Sequence, residues 1–222
     1  MTTASTTKGE LNSAARDIAR VAAKLFATQG YEATSVRMIV EAAGVTKPTL
    51  YYYFGSKEGL AQALLTLPMA ALADSMRSIL AEGGDPVAAL VRIVEAHFVF
   101  CREEPDCARF FFALVFGPQG SELLVEVKKT MGALPVLLIE SIRRLADAGL
   151  IAPERVGACA TACRGRIVIA MMDYLYRDRH RDCQREGLDS DGDLGAGLAD
   201  RLVGDLLHGF ALPGATGRGS RP

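Results

Sequence analysis

Tryptophan is absent from this 222-residue chain, histidine occurs three times, and aromatic residues make up only 7% of it. The histidines stand far apart, at 97, 180 and 208. With them there is no HExxH, no GxSxG and no phosphate-binding glycine loop, so no catalytic constellation is expected. The chain therefore reads as no enzyme, with no cofactor and no metal. Long apolar runs are also missing: charges or breakers interrupt each one before 18 residues, so no membrane span is expected. The opening residues, MTTASTTKGE, lack the apolar stretch of a signal peptide, and the expected location is the cytoplasm. Five cysteines, an odd number, then read as reduced thiols. No segment alternates as strands do, so the fold is expected to be all-α.

Net charge is nearly absent too, at −1, which taken alone speaks against a nucleic-acid binder. The charge is unevenly spread, however. Residues 1–65 carry seven Lys/Arg against five Asp/Glu, and the remainder carries 18 against 21. That is the sign expected of a basic reading head on an acidic body.

What is present is a stretch from Thr34 to Lys57, TSVRMIVEAAGVTKPTLYYYFGSK. Thr34 or Ser35 can cap a first helix, because a hydroxyl there accepts an unpaired backbone N–H. Val36, Ile39 and Val40 share one helical face. Gly44 stands where that helix should stop, since glycine adopts a left-handed backbone without penalty. Thr46 is the next cap, and Pro48 follows it inside the first turn, where proline loses little. Leu50 and Phe54 point inward from the second helix. Pro48, Thr49 and Tyr52 lie roughly opposite them, with Tyr51 and Tyr53 on the flanks. Three consecutive tyrosines cannot all be core on so short a helix. A helix–turn–helix showing Lys, Thr and Tyr suits a DNA major groove.

The segments AARDIARVAAKLFATQGYEATSVRMIVEAAGV and TKPTLYYYFGSKEGL closely resemble the helix–turn–helix domain of TetR-family transcriptional regulators. Phe26, Gly30, Tyr31, Thr34, Ile39, Ala43, Gly44, Val45, Leu50, Tyr51, Phe54 and Lys57 carry the likeness. Met38 and Val40 depart from it, outside the second helix. The resemblance implies that Lys47, Pro48, Thr49 and Tyr52 face bases, while Tyr51 and Tyr53 meet backbone or thymine methyls. Ser35 or Thr34 and Lys57 would hold phosphates at helix N-termini. Arg37 could reach a guanine. Thr46 completes the candidate DNA-binding set.

The expected architecture is a three-helix head at residues 12–66, with its helix–turn–helix at 35–54, and a helical effector-binding and dimerisation domain at 67–212. About nine helices are expected in all. The first runs from about Ser13 to Thr28, and residues 1–11 and 213–222 are expected to be disordered. Pro68 should kink or end the fourth helix. The seventh should run from near Ser121 to Gly149 with Pro135 inside it. The eighth starts at Pro153 and the ninth is Leu198–Phe210. By resemblance, the eighth and ninth helices form a homodimer interface, offering Ile167, Val168, Ala170, Met171, Tyr174, Leu175, Leu198, Leu202, Leu206 and Phe210. The family also often encloses an effector among its fifth to eighth helices. The candidates here are His97, Phe98, Cys101, Arg109, Phe112, Phe116, Met131, Arg164, Met171 and Met172, walls that suit a large, mostly apolar ligand.

Two further patterns imitate chemistry. Cys159 and Cys163 stand at i, i+4, but no CxxC accompanies them. Asp189, Asp191, Asp193 and Asp200 copy part of a calcium loop, yet Leu194 occupies the glycine position and no bidentate Glu follows. The expected function is a DNA-binding regulator, a repressor released from a palindromic operator by a small, largely apolar effector. The alternative is a helical small-molecule carrier whose head has lost DNA function.

Overall fold

A computed structural model describes residues 4–117, 122–177, 194–195 and 197–210. No strand occurs among them. Ten α-helices do: α1 (Ala4–Gln29), α2 (Val36–Ala43), α3 (Lys47–Phe54), α4 (Lys57–Glu82), α5 (Pro86–Glu103), α6 (Pro105–Phe116), α7 (Glu122–Met131), α8 (Ala133–Asp147), α9 (Val156–Tyr176) and α10 (Leu198–Phe210). A 3₁₀ turn, Pro153–Arg155, leads into α9.

Three boundaries differ from expectation. α1 begins at Ala4, well before Ser13; no proline stands there to stop a helix from extending backwards. The expected seventh helix is two, because Pro135 offers no N–H to the carbonyl four residues back, and the chain breaks at Gly132. α4 continues through Pro68 to Glu82 instead of ending there. The C-terminal tail from 213 lies outside the described residues, as do Asp189, Asp191 and Asp193.

The chain divides into two compact units. The first contains the described residues of Met1–Ala70 and Glu104–Met131. Its core joins Ile18, Ala22 and Phe26 of α1, Ile39 and Val40 of α2, Leu50 of α3, and Leu60, Leu64 and Leu65 of α4. Cys107 and Phe110 of α6 and Leu123 and Val127 of α7 complete it. The Phe26 and Phe110 rings sit 4.9 Å apart. α6 and α7, expected in the body, thus share a core with residues of the head. Short α2 and α3 bury too little surface to stand alone, and helices of eight residues depend on tertiary packing.

The second unit holds Ala71–Glu103 and the described residues from Gly132 onward. α5 supplies Leu90, Ile93, Val94, Phe98 and Cys101; α8 supplies Leu138, Ile142 and Leu145; α9 supplies Cys163, Ile167 and Met171; α10 supplies Leu202, Val203 and Leu206. Arg144 donates to the Leu80 carbonyl at 2.6 Å, Arg166 pairs with Asp205 at 3.1 Å, and Arg102 donates to both Glu95 and the Leu194 carbonyl.

Among the described residues one helix, α4, is long and apolar enough to cross a membrane by length and composition. Its apolar stripe, from Leu60 and Leu64 through Met69 and Met76 to Leu80, is buried within the protein.

Candidate nucleic-acid interface

The turn between α2 and α3 is fixed largely by main-chain hydrogen bonds. Ser35 caps α2, its Oγ accepting the Met38 N–H at 3.2 Å. At the other end Gly44 takes φ 66°, ψ 29°, a left-handed conformation that glycine adopts without a Cβ penalty. Its N–H donates to the Glu41 carbonyl at 3.3 Å and the Val45 N–H to the Val40 carbonyl at 3.0 Å, the paired C-terminal bonds of a Schellman turn. Thr46 then caps α3 by accepting the Thr49 N–H at 3.4 Å. The Thr46 and Thr49 hydroxyls lie 2.9 Å apart, so Thr49 is oriented before anything binds.

α3 is anchored from behind by Leu50, which has no exposed surface. Lys47 and Pro48 are exposed and Thr49 is half-buried. Tyr51 is 47% exposed and Tyr52 75%. Large aromatic surface left in water on a helix this short does nothing for the fold. Arg37 is also exposed, its guanidinium on Glu41 at 2.6 Å. That contact raises its pKa, and the Arg stays fully charged. An exposed pair of this kind contributes little to stability and releases easily.

Tyr53 behaves differently. Its ring packs against the head core, 6.2 Å from Phe54 and edge-on to Tyr52 at 5.1 Å. Its hydroxyl is covered and has no hydrogen-bond partner.

Two expected phosphate ligands make hydrogen bonds within the head. Thr34 is buried, and its hydroxyl donates to the Gly30 carbonyl at 2.8 Å, closing the loop between α1 and α2. Lys57 is committed as well: its ammonium donates to the Tyr31 carbonyl at 2.9 Å and the Thr34 carbonyl at 3.0 Å. It also lies 4.1 Å from the centre of the Tyr31 ring. The Tyr31 hydroxyl donates to Glu58 at 3.1 Å. Burial, and then Glu58, push that phenol above its ordinary range. Glu58 is held below the usual carboxylate range by its own N–H, Ser56 and Tyr31. Together Tyr31, Lys57 and Glu58 form a latch that ties the α1–α2 loop to the first turn of α4. No short-range spacing rule links positions 31 and 57, which is why the latch was missed. Gly59 was missed too: a Cβ there would meet the Phe54 carbonyl at 2.1 Å, so only glycine lets α4 start so close to α3. What remains outward is Ser35, Arg37, Lys47, Pro48, Tyr51 and Tyr52, with Thr46 and Thr49 at the edge.

The effector candidates are divided between the two units. Phe98, Cys101 and Met171 are buried in the second unit, where His97 is half-buried with Nδ1 2.8 Å from the Ile93 carbonyl and Met172 is half-buried. Burial lowers the pKa of the His97 imidazole, opposed by the Ile93 contact. Arg164 is exposed on α9, since its position faces away from the Cys163–Ile167 stripe. Arg109, Phe112 and Phe116 belong to α6 in the first unit, with Arg109 on Asp106 at 2.9 Å and Phe116 64% exposed. The Met131 side chain lies outside the described residues. Of the dimer candidates, Ile167, Met171, Leu175, Leu202 and Leu206 are core of their own chain. Val168, Ala170, Tyr174 and Leu198 are half-buried, and the Phe210 side chain is outside the described residues. Cys159 and Cys163 are fully buried, and burial pushes the Cys163 thiol up to about 12. No group of three or more metal-ligating side chains occurs among the described residues.

Residues 18–64 match the family described as "Bacterial regulatory proteins, tetR family". Over 78 residues the chain is 38% identical to the HTH-type transcriptional repressor KstR2 of Rhodococcus jostii (strain RHA1), a match covering 35% of this chain and 38% of KstR2. The chain thus spans well under half the length of that relative. The structure of the fatty acid degradation regulator FadR from Bacillus halodurans superposes with a TM-score of 0.70 over 88% of this chain and 98% of that one, at 23% identity. AibR, solved in complex with isovaleryl coenzyme A and operator DNA, gives 0.59 over 89% and 98%, at 18% identity.

Proposed function

We propose, for a chain that belongs to the TetR family of bacterial regulatory proteins, that it is a sequence-specific DNA-binding repressor released by a small, largely apolar effector. The observation that carries this is the outer face of α3. Lys47, Pro48, Tyr51 and Tyr52 stand in solvent on a helix whose position is fixed behind by Leu50 and at its start by Thr46. Such a face has no use in folding, and its chemistry suits a duplex. Lys47 and Tyr52 face the bases, Arg37 reaches a guanine, Tyr51 meets backbone or thymine methyls, and Thr49 offers a hydroxyl to a base edge. Ser35 adds the N-terminus of α2, whose free amides favour an anion.

The protein acts as a homodimer in the cytoplasm, has no catalytic role, and reads two half-sites roughly 34 Å apart on a near-palindromic operator. α9 and α10 form the dimer contact, and the 62% exposed Ile169, with Val168, supports that choice. His97, Phe98, Cys101 and Met171 receive the effector, which the isovaleryl coenzyme A bound to AibR suggests is an acyl compound. α4 relays its presence, with Pro68 as the hinge. The effector can shift the equilibrium only by its differential affinity for the two states.

Filter binding tests the reading. Full-length protein is titrated against duplex from the intergenic region upstream of its own coding sequence. Retention that falls steeply with salt is expected, because phosphate contacts release counterions. Equal retention of scrambled duplex, or none of either, would overturn it.

A further inference from the structure

Arg37 and Glu41 stand one turn apart on α2, on the side away from the buried Ile39. Their side chains are 75% and 59% exposed, and a pair this open does little for folding. Its geometry is nonetheless particular. The Arg37 Nε–H donates to Oε1 of Glu41 at 2.6 Å, and among the described residues the guanidinium makes no other hydrogen bond. Both terminal amino groups, Nη1 and Nη2, are unspent. Other arginines of the chain are held by the end of the fork. Arg92 gives Nη1 and Nη2 to Glu82. Arg102 gives one to the Leu194 carbonyl and the other to Glu95. Arg166 gives Nη2 to Asp205. Arg37 is gripped along its edge and keeps its end open. That end, two parallel N–H donors, is the part of an arginine that matches O6 and N7 of guanine.

We infer that Glu41 is a positioning residue for base reading: it holds Arg37 by Nε so that the guanidinium meets a guanine end-on. This rests on the DNA-binding reading of the head. A long side chain loses rotamer freedom on binding, and a grip made beforehand reduces that cost. In water the pair is weak; under a duplex that excludes water the same contact strengthens. A carboxylate on a DNA-facing surface also has a drawback, because phosphates repel it at every sequence alike. Glu41 therefore trades general affinity for selectivity. Its removal should move the two in opposite directions, which the loss of a merely structural surface pair would not do.

The test uses the full-length chain and a pool of random-sequence duplexes, sequenced after selection by wild type and by each variant. Glu41→Ala is expected to lose about tenfold in preference for guanine, at the one base pair that Arg37→Ala also releases. Preferences at other positions should stay as they are. Glu41→Gln keeps an acceptor for the Nε–H and should keep most of that preference. Both Glu41 variants should retain more of the unselected pool than wild type, since one negative charge is gone. Glu41→Ala combined with Arg37→Ala should lose no more than Arg37→Ala alone. Glu41→Ala that keeps the guanine preference while Arg37→Ala loses it overturns the inference and leaves the DNA reading standing. So does a loss at a different base pair, a loss spread over every position, or an Arg37→Ala chain with unchanged preferences. A wild-type chain that enriches no sequence from the pool overturns the DNA reading and this inference with it.

Discussion

α3 and α9 use aromatic and sulfur-bearing residues in opposite ways. α3 has eight residues and only Leu50 fully buried, and it leaves Tyr51 and Tyr52 largely in water. α9 has 21 residues and turns Cys159, Cys163, Ile167, Met171 and Leu175 inward. In α9 the residues that look chemical are spent on packing: the thiols are buried and stay protonated. In α3 the residues that look like packing are left for something outside the chain. Side-chain type alone would have assigned both helices wrongly, and burial separates them.

Four substitutions would break or sharpen that contrast. Gly59→Ala should cost the most, about 4 kcal/mol, because the new Cβ meets a main-chain carbonyl at 2.1 Å. The melting temperature would fall by roughly 10 °C, and a fall of a degree or two would mean that α4 is not pinned against α3. Leu50→Ala should follow at about 3 kcal/mol, the cost of a cavity under α3, measured as a shift in denaturant midpoint. Tyr52→Ala should leave stability within about 0.5 kcal/mol while operator retention drops about tenfold. If stability fell instead, the outer face of α3 would be structural after all. Ser35→Ala should cost about 1 kcal/mol through loss of the α2 cap, visible in the same denaturation series.

The smallest effect concerns pH. Burial holds the folded His97 imidazole below its ordinary 6.5, so the folded state stays neutral where the unfolded state takes up a proton. The contribution of this group is complete above about 6.5 and is lost as pH falls below it. Denaturant midpoints at pH 7.5 and 5.5 should therefore converge more in His97→Gln than in the wild type. An identical pH dependence in both would show that His97 is open to solvent.

Much of the head was legible in advance because its signals are local. Ser35, Gly44, Thr46 and Pro48 act within four residues of their own positions, and their roles follow from main-chain geometry. Long-range partners were not legible. Nothing in spacing says that Lys57 will reach the Tyr31 and Thr34 carbonyls, or that Phe110 of α6 will pack against Phe26 of α1. Thr34 shows the same limit: a threonine beside a helix start can cap, coat or plug, and here its hydroxyl donates to the carbonyl of Gly30. The effector set was the least legible part, since a run of phenylalanines carries no mark of which core it fills.

The Schellman turn at Gly44 and the threonine start of α3 have an evolutionary consequence. The orientation of α3 is written in backbone bonds, the Thr46 cap and Leu50, and Lys47 and Tyr52 take no part in holding it. Lys47 and Tyr52 can therefore be exchanged without unseating the scaffold. Descendants of this chain could be readdressed to new promoters by surface changes alone.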